Sequence, residues 1–388
     1  MKEHWLLDRS ITYLNHGSFG ATPIAVLATQ SEFRRRMELE PVRFLVRELE
    51  PLLDAVRAEL GRLVGASPDD LAFVPNATSG VNAVLRSLHF SPKDELLVTN
   101  QEYNASRNVL EYVAERSGAK VKVVDIPFPL SSPDAVVELV VSAATDATRL
   151  LLIDHITSQT ALIMPVARIV AEMKARGIDT LIDGAHGPGQ VPLDIRAIGP
   201  AYYTANLHKW VCAPKGAAFL YVRSDRREAI HPIVISHGRN STRTDRSRFH
   251  LEFDWPGTFD PTACLAAGES LRFMPSLVEA GWGEIMRRNH DLVLKGRDIL
   301  CAALKIAPPA PDAMLPSMAA FPMPDGRPGD KASVFGDPLQ DVLFDQFQIE
   351  VPVLPWPSPP KRLLRISAQL YNTPDDYQKL AEALVRIL

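Results

Sequence analysis

Short apolar runs alternate with amphipathic stretches over the first two thirds of the chain. The apolar runs have strand character and lie at residues 71–74, 95–99, 120–124, 150–154, 180–183 and 217–222. Helical periodicity favours helices at residues 25–39, 51–64, 80–87, 106–116, 166–176 and 261–274. This alternation predicts an α/β fold in which helices cover both faces of a mainly parallel sheet.

The pattern changes towards the C-terminus. A long helical pattern at residues 282–301 is followed by strand candidates at 317–321, 331–335, 349–353 and 362–366, and by a helical pattern from Pro374 to the end. We therefore expect a smaller α+β C-terminal domain at 266–388, a large domain at 21–265, and an N-terminal arm at 1–20 that packs with the small domain.

The composition indicates a globular protein with a small-molecule partner. The chain has 388 residues, of which 46% are hydrophobic, so it can bury a large core. The formal net charge is −4 and no polybasic run is present. We therefore expect neither a nucleic acid nor a membrane as partner.

Cysteine usage and hydropathy predict a cytoplasmic protein. Cys212, Cys264 and Cys301 are widely spaced and form no CxxC pair, so we expect neither a disulfide framework nor a metal site. No apolar stretch approaches the roughly 20 residues that cross a bilayer, and the N-terminus lacks the apolar core of a signal peptide.

Asp183 and Lys209 are the first candidates for chemistry. Asp183 follows the apolar run Thr180-Leu181-Ile182, which would place its carboxylate at the C-terminal end of a strand, where open α/β sheets bind ligands. Pyridoxal 5'-phosphate (PLP) chemistry requires a lysine amine that holds an aldehyde as a Schiff base and a carboxylate that keeps a pyridine nitrogen protonated. For each residue alone, a solvent-exposed side chain remains the alternative.

The segment around Lys209 resembles the lysine signature of the class V aminotransferases, a group of fold-type I PLP enzymes. It reads Asn206-Leu207-His208-Lys209-Trp210 and is followed by Ala213-Pro214-Lys215-Gly216. Other segments resemble, in the same order, the isopenicillin N epimerase-like subgroup: Asn15-His16-Gly17-Ser18-Phe19-Gly20, Pro75-Asn76-Ala77-Thr78-Ser79-Gly80, Asp154-His155-Ile156-Thr157-Ser158, Trp255-Pro256-Gly257-Thr258 and Arg365-Ile366-Ser367-Ala368-Gln369. The resemblance implies the fold of a fold-type I PLP-dependent transferase, with a mainly parallel seven-stranded sheet in the large domain.

The resemblance also implies how the cofactor is held. Lys209 would form the Schiff base and move the substrate α-proton, Asp183 would pair with the ring nitrogen, and His186 would donate to the ring hydroxyl. Further implied contacts are Ala77, Thr78 and Ser79 at a helix N-terminus that favours phosphate, Asn206, His208 and Ser158, Tyr103 stacked on the ring, and Thr258 from a second subunit. A histidine that caps a glycine turn, a simple helix N-cap at residues 75–80 and a core tyrosine remain alternatives.

The substrate side of the site rests on Arg365. It resembles the family arginine that binds the substrate α-carboxylate, a task that suits a planar bidentate donor. Asn15, His16 and Ser158 would line the same pocket. An exposed arginine is the alternative for Arg365. We expect an amino acid substrate and, from the implied role of Thr258, a homodimer with a shared active site.

The residues implied to bind the cofactor do not show whether the reaction is racemisation, elimination or transamination. Residues 349–360 contain no cysteine, although cysteine desulfurases need a nucleophilic one in this stretch, so we expect that the chain is not a cysteine desulfurase. We expect an isopenicillin N epimerase-like amino acid epimerase that acts at the α-carbon. A C–S lyase like those of the ergothioneine pathway, acting on a thioether or sulfoxide amino acid, an aminotransferase, and a PLP-binding module without turnover stay open as alternatives.

Overall fold

The predicted apolar runs form the strands of a central sheet. The computed structural model describes residues 1–326 and 337–388. Its strands are β1 (Thr12–Tyr13), β2 (Leu71–Val74), β3 (Glu95–Thr99), β4 (Lys120–Val124), β5 (Thr148–Asp154), β6 (Asp179–Asp183), β7 (Tyr202–Asn206), β8 (Ala218–Val222), β9 (Met318–Met323), β10 (Ile349–Glu350), β11 (Val353–Pro355) and β12 (Arg362–Ser367). All six strands predicted for the first two thirds are confirmed, whereas β7 was not predicted.

Within the described residues, seven strands pair in the order β2-β8-β7-β6-β5-β3-β4. The strands β3 to β7 are mutually parallel, and β8 is antiparallel to both β7 and β2. The mainly parallel sheet is therefore confirmed. Because Asp154 and Asp183 are register partners at the ends of β5 and β6, both carboxylates lie at the same edge of the sheet.

Helices cover both faces of this sheet, as predicted. The helices of the described residues are α1 (Ile24–Leu39), α2 (Leu49–Val64), α3 (Ala77–Ser87), α4 (Asn104–Ser117), α5 (Pro133–Ala143), α6 (Val166–Ala175), α7 (Ile195–Ile198), α8 (Arg248–Phe253), α9 (Thr262–Ser276), α10 (Gly281–Leu304), α11 (Pro338–Phe347) and α12 (Pro374–Ile387). Alternate residues of β5 belong to two separate hydrophobic clusters, with Leu151 and Ile153 in one and Leu150 and Leu152 in the other. No helix among the described residues is both long and apolar enough to cross a membrane.

The C-terminal part contains smaller sheets. The strands β11, β12 and β9 form an antiparallel sheet, and β10 pairs in parallel with β1 near the N-terminus. The prediction of one strand at 349–353 was wrong, because the chain leaves β10 after Glu350 and enters a different sheet at Val353. The strand predicted at 331–335 lies outside the described residues, and the division into an arm and two domains stays a prediction.

Candidate active site

Polar side chains collect where neighbouring strands of the central sheet end. Asp183 is the last residue of β6, Asn206 is the last residue of β7, and Lys209 follows three residues later. Since parallel strands present their C-terminal ends at one edge, the predicted position of Asp183 is confirmed and Lys209 lies on the adjacent strand end.

Asp183 is almost fully buried, with 2% of its surface exposed. Its Oδ2 accepts a hydrogen bond from the Ser106 hydroxyl at 2.7 Å, and its Oδ1 accepts one from the Ala185 backbone N–H at 3.0 Å. Burial raises the pKa of Asp183, while these donors and the Lys209 amine oppose that rise. Sequence reasoning missed Ser106, since nothing local marks this residue of α4 as a partner of a carboxylate on β6.

Lys209, His186 and Trp210 form a directional chain of hydrogen bonds. The Trp210 indole N–H, which can only donate, lies 3.3 Å from His186 Nδ1. Nδ1 is therefore an acceptor, and the single proton of the neutral ring must sit on Nε2. That N–H donates to the Lys209 Nζ at 2.9 Å, which requires a lone pair on the amine. The contacts thus assign both the histidine tautomer and a neutral lysine.

The pKa values agree with this assignment. Burial, followed by the positive charge of Arg365, lowers the pKa of Lys209 to about 7. Burial also lowers the pKa of His186 well below its ordinary value, and Lys209 and Arg365 add to the effect. Lys209 can therefore exchange a proton near neutral pH, as a general acid or base must.

The N-terminus of α3 faces the same edge through Asn206. The Asn206 Oδ1 accepts a hydrogen bond from the Ala77 N–H at 2.8 Å. The helix is also N-capped, because the Asn76 side chain accepts from the Ser79 N–H. Helix termini of this kind favour anions, so the structure suits a phosphate beside Ala77, Thr78 and Ser79. Both roles considered for this loop, an N-cap and an anion site, are compatible with the geometry.

His208 is fixed by a backbone contact. Its Nδ1–H donates to the Ala217 carbonyl at 2.9 Å. Because the neutral ring carries one proton, Nε2 is left as an acceptor. Burial lowers the pKa of His208 to about 4, so the ring is neutral at neutral pH. A hydrogen bond from Nε2 to a phosphate would need a second proton on the ring. The predicted phosphate contacts of His208 and Asn206 stay predictions.

Arg365 is buried with 2% of its surface exposed, so the alternative of an exposed arginine is wrong. Its guanidinium donates to the Ser158 carbonyl and, at 2.8 Å, to the Ser18 hydroxyl. Among residues 1–326 and 337–388, no carboxylate forms an ion pair with it. Burial lowers the pKa of Arg365 only to about 10, which leaves a charged group at neutral pH. A buried cation without a counter-ion is suited to bind an anion.

His16 and Asn15 support this region rather than facing open space. His16 is fully buried; its Nε2–H donates to the Lys209 carbonyl at 3.0 Å, and its Nδ1 accepts from the Tyr371 hydroxyl at 2.7 Å. The Asn15 amide donates to Glu350 at 3.0 Å. These contacts hold the backbone of Lys209 and the β1–β10 segment, while direct substrate contacts of both residues stay predictions.

Two of the predicted site residues are exposed to solvent. Tyr103 precedes α4 and is 44% exposed, so the alternative of a core tyrosine is wrong. It lies close enough to Arg365 to influence the pKa of that guanidinium. Thr258 is exposed and lies in the loop between α8 and α9.

The combined donor set fits PLP. A neutral lysine amine, a buried carboxylate and a helix N-terminus match an aldehyde, a ring nitrogen and a phosphate, respectively. The Asp183 carboxylate keeps only two donors in the described chain, so it can also accept from a ring nitrogen.

Comparisons with known proteins agree with this site. Residues 12–380 match the family Aminotransferase class-V. The chain is 36% identical to an isopenicillin N epimerase of Amycolatopsis lactamdurans, with 99% of this chain and 96% of that protein covered. It is 31% identical to a probable chloroplastic L-cysteine desulfhydrase of Arabidopsis thaliana, with 97% and 83% covered.

The fold is also similar to a solved structure. A cystine C-S lyase in complex with cysteine persulfide superposes with a TM-score of 0.81 at 19% identity, over 97% of this chain and 98% of that one. The fold-type I prediction is therefore confirmed. The chain belongs to the class-V aminotransferase family, and pyridoxal 5'-phosphate is its cofactor.

Proposed function

We propose that this enzyme moves the α-proton of an amino acid and is an amino acid epimerase of the isopenicillin N type. The observation that carries the proposal is the pairing of a neutral amine with a buried, uncompensated cation in one site. Lys209 has a pKa of about 7, and Arg365 has no carboxylate partner in the described chain. An amino acid supplies both the α-proton and the carboxylate that these groups need.

Each residue would have one task. When bound, PLP supplies an electron sink that weakens the bonds at the α-carbon. Arg365 would hold the substrate carboxylate, and Lys209 would accept and return the proton. Asp183 would pair with the cofactor ring nitrogen, His186 would donate from Nε2, and the α3 N-terminus would hold the phosphate with Asn206 and His208 nearby.

A C–S lyase is the second candidate. Removal of the α-proton is its first step too, so the same Lys209 and Arg365 would serve it. The desulfhydrase relative supports this candidate. Persulfide transfer, as in a cysteine desulfurase, is less well supported, because burial raises the pKa of Cys212 and of Cys264 to about 12 and so disfavours the thiolate.

We further propose a homodimer with a shared active site. Thr258 is exposed in the loop before α9, where a second subunit can approach it. Light scattering of the purified protein tests this assembly directly, and a monomer at micromolar concentration would refute it.

Proton NMR in D2O tests the reaction. PLP-loaded protein is incubated with a panel of L-amino acids and thioether amino acids, beside a Lys209→Ala control. Loss of the α-proton signal with appearance of the enantiomer would support the epimerase. Release of ammonia and a 2-oxo acid with a sulfur fragment would identify a lyase instead. If no substrate exchanges its α-proton and none is cleaved, both reactions are refuted and a binding module without turnover stands.

A further inference from the structure

Three carboxyl groups meet behind the candidate cofactor site. Asp183 ends β6, Asp154 ends β5, and Glu102 follows β3 through a turn in which its N–H donates to the Thr99 carbonyl. These strands are neighbours in the sheet. One carboxylate oxygen from each residue lies within 4.8 Å of the others, and at most 6% of any of the three is exposed.

The three carboxyl groups differ in the number of hydrogen-bond donors that they contact. Asp183 accepts from Ser106 and Ala185. Both oxygens of Glu102 and the Oδ2 of Asp154 are buried without a hydrogen-bond partner in the described chain. An ionised carboxylate can only accept, so two facing carboxylates make no hydrogen bond unless one of them carries a proton. Leaving all three ionised would bury uncompensated charge at a high free-energy cost.

We propose that Glu102 and Asp154 share one proton and act as a positioning pair behind Asp183. Glu102 carries the proton and donates it to Asp154, so Asp154 and Asp183 remain ionised. Asp183 is stabilised in this state by its own two donors. This inference rests on the proposed role of Asp183 towards the cofactor ring nitrogen. A fully ionised pair would add one more uncompensated negative charge behind Asp183.

The surroundings of the pair favour a retained proton. Burial, followed by the charges of Asp154 and Asp183, raises the pKa of Glu102 well above its ordinary value. Burial, followed by the charge of Asp183, also raises the pKa of Asp154, whereas the Lys209 amine opposes this. The titratable groups that face the pair are Asp183 on β6 and Lys209 after β7. Of these two, only the lysine favours ionisation, while the Tyr103 backbone also opposes the rise in the pKa of Glu102.

Infrared spectroscopy of the holoenzyme tests the shared proton without any turnover. A protonated carboxyl has a C=O stretch distinct from that of a carboxylate. We expect this band in the wild type at pH 8, its loss in Glu102→Gln and in Asp154→Asn, and its retention in Glu111→Gln, which changes an exposed carboxylate. Absence of the band from the wild type, or its persistence in both variants of the pair, would overturn the proposal.

A titration of the bound cofactor tests the positioning role. We expect the visible absorption of wild-type holoenzyme to show an alkaline transition that Glu102→Gln lacks, since the amide cannot lose a proton. Cofactor affinity should stay within about twofold, because glutamine still donates to Asp154. An unchanged alkaline transition in Glu102→Gln would refute the role, as would one equivalent of a divalent metal recovered from the wild type but not from this variant. Both readouts are independent of α-proton exchange, so they can fail while the proposed function stands.

Discussion

At the scale of single residues, the neutral state of Lys209 depends on a residue that touches no reacting atom. Trp210 donates to His186 Nδ1 and thereby keeps the ring proton on Nε2, pointed at Lys209. Without the indole N–H, the ring could adopt the other tautomer and accept from a lysine ammonium. Trp210 is therefore a positioning residue for the candidate base.

Replacing Trp210 by Phe should raise the pKa of Lys209 by roughly one unit, since a hydrogen bond of about 1.4 kcal/mol would then favour the charged amine. The rate of Lys209 acylation against pH, followed by mass spectrometry on PLP-free protein, measures the shift. Trp282→Phe, at the start of α10, is the control and should leave the profile unchanged. Equal profiles for Trp210→Phe and the wild type would contradict the tautomer assignment.

Arg365 offers a second test at this scale. Replacement by Lys keeps the charge but removes the planar pair of donors, so we expect KM for the amino acid to rise about 10-fold or more, as for a lost charge-assisted hydrogen bond of about 1.5–3 kcal/mol. PLP affinity should change little, because the proposed partner of Arg365 is the substrate. Arg386→Lys on α12 is the matched control. An unchanged KM would argue that the carboxylate binds elsewhere.

At the scale of elements, the position of α3 depends on Gly80. A Cβ at this position would lie 2.1 Å from Thr204 Oγ1 and 2.7 Å from Thr204 Cβ on β7. The hydroxyl is itself engaged with the Phe219 carbonyl at 2.9 Å. The helix therefore approaches the sheet as closely as a glycine allows, which brings its N-terminus to Asn206.

Gly80→Ala should destabilise the protein by about 1–3 kcal/mol through overpacking, although alanine is favoured in helices by about 1 kcal/mol. It should also weaken PLP binding, because α3 must shift. Gly283→Ala in α10 is a matched control, since a Cβ there meets nothing within 4 Å; it should be neutral or slightly stabilising. Urea unfolding of both variants measures their stabilities, and titration with PLP measures their cofactor affinities. Equal stabilities would refute this packing argument.

The elements also show what the sequence could predict. The strand β5 contains a continuous apolar run at residues 150–153, so its pattern identifies it. The strand β7 is equally buried, but Thr204 and Asn206 interrupt its apolar pattern. Asp183, His186 and Lys209 could be predicted because they lie in one short segment. Glu102 and Asp154 could not be assigned to a common cluster, since their proximity depends on the order of β3, β5 and β6 in the sheet.

At the scale of the whole molecule, several histidines are buried in neutral form. Burial lowers the pKa of His16 to about 3 and those of His155 and His208 to about 4. They come from the N-terminal segment and from the ends of β5 and β7, so only the complete fold removes them from water. The unfolded chain would bind protons on these rings below pH about 6.5, whereas the folded one would not.

Acid should therefore unfold the protein through these sites. A lowered folded-state pKa gives stability that is fully present above about pH 6.5 and is lost as the pH falls towards the folded-state value. For His155 alone, the loss between pH 7 and pH 5 is about 2 kcal/mol. The raised pKa values of Glu102 and Asp154 have the opposite effect, because they increase the free energy of unfolding as the pH falls. The contribution of one histidine must therefore be measured by a comparison at a single site.

Urea unfolding at constant PLP concentration measures this contribution. The His155→Gln variant should lose less stability between pH 7 and pH 5 than the wild type, while the exposed His89→Gln variant should match the wild type. If His155→Gln retains the full pH dependence, the acid sensitivity arises from other groups.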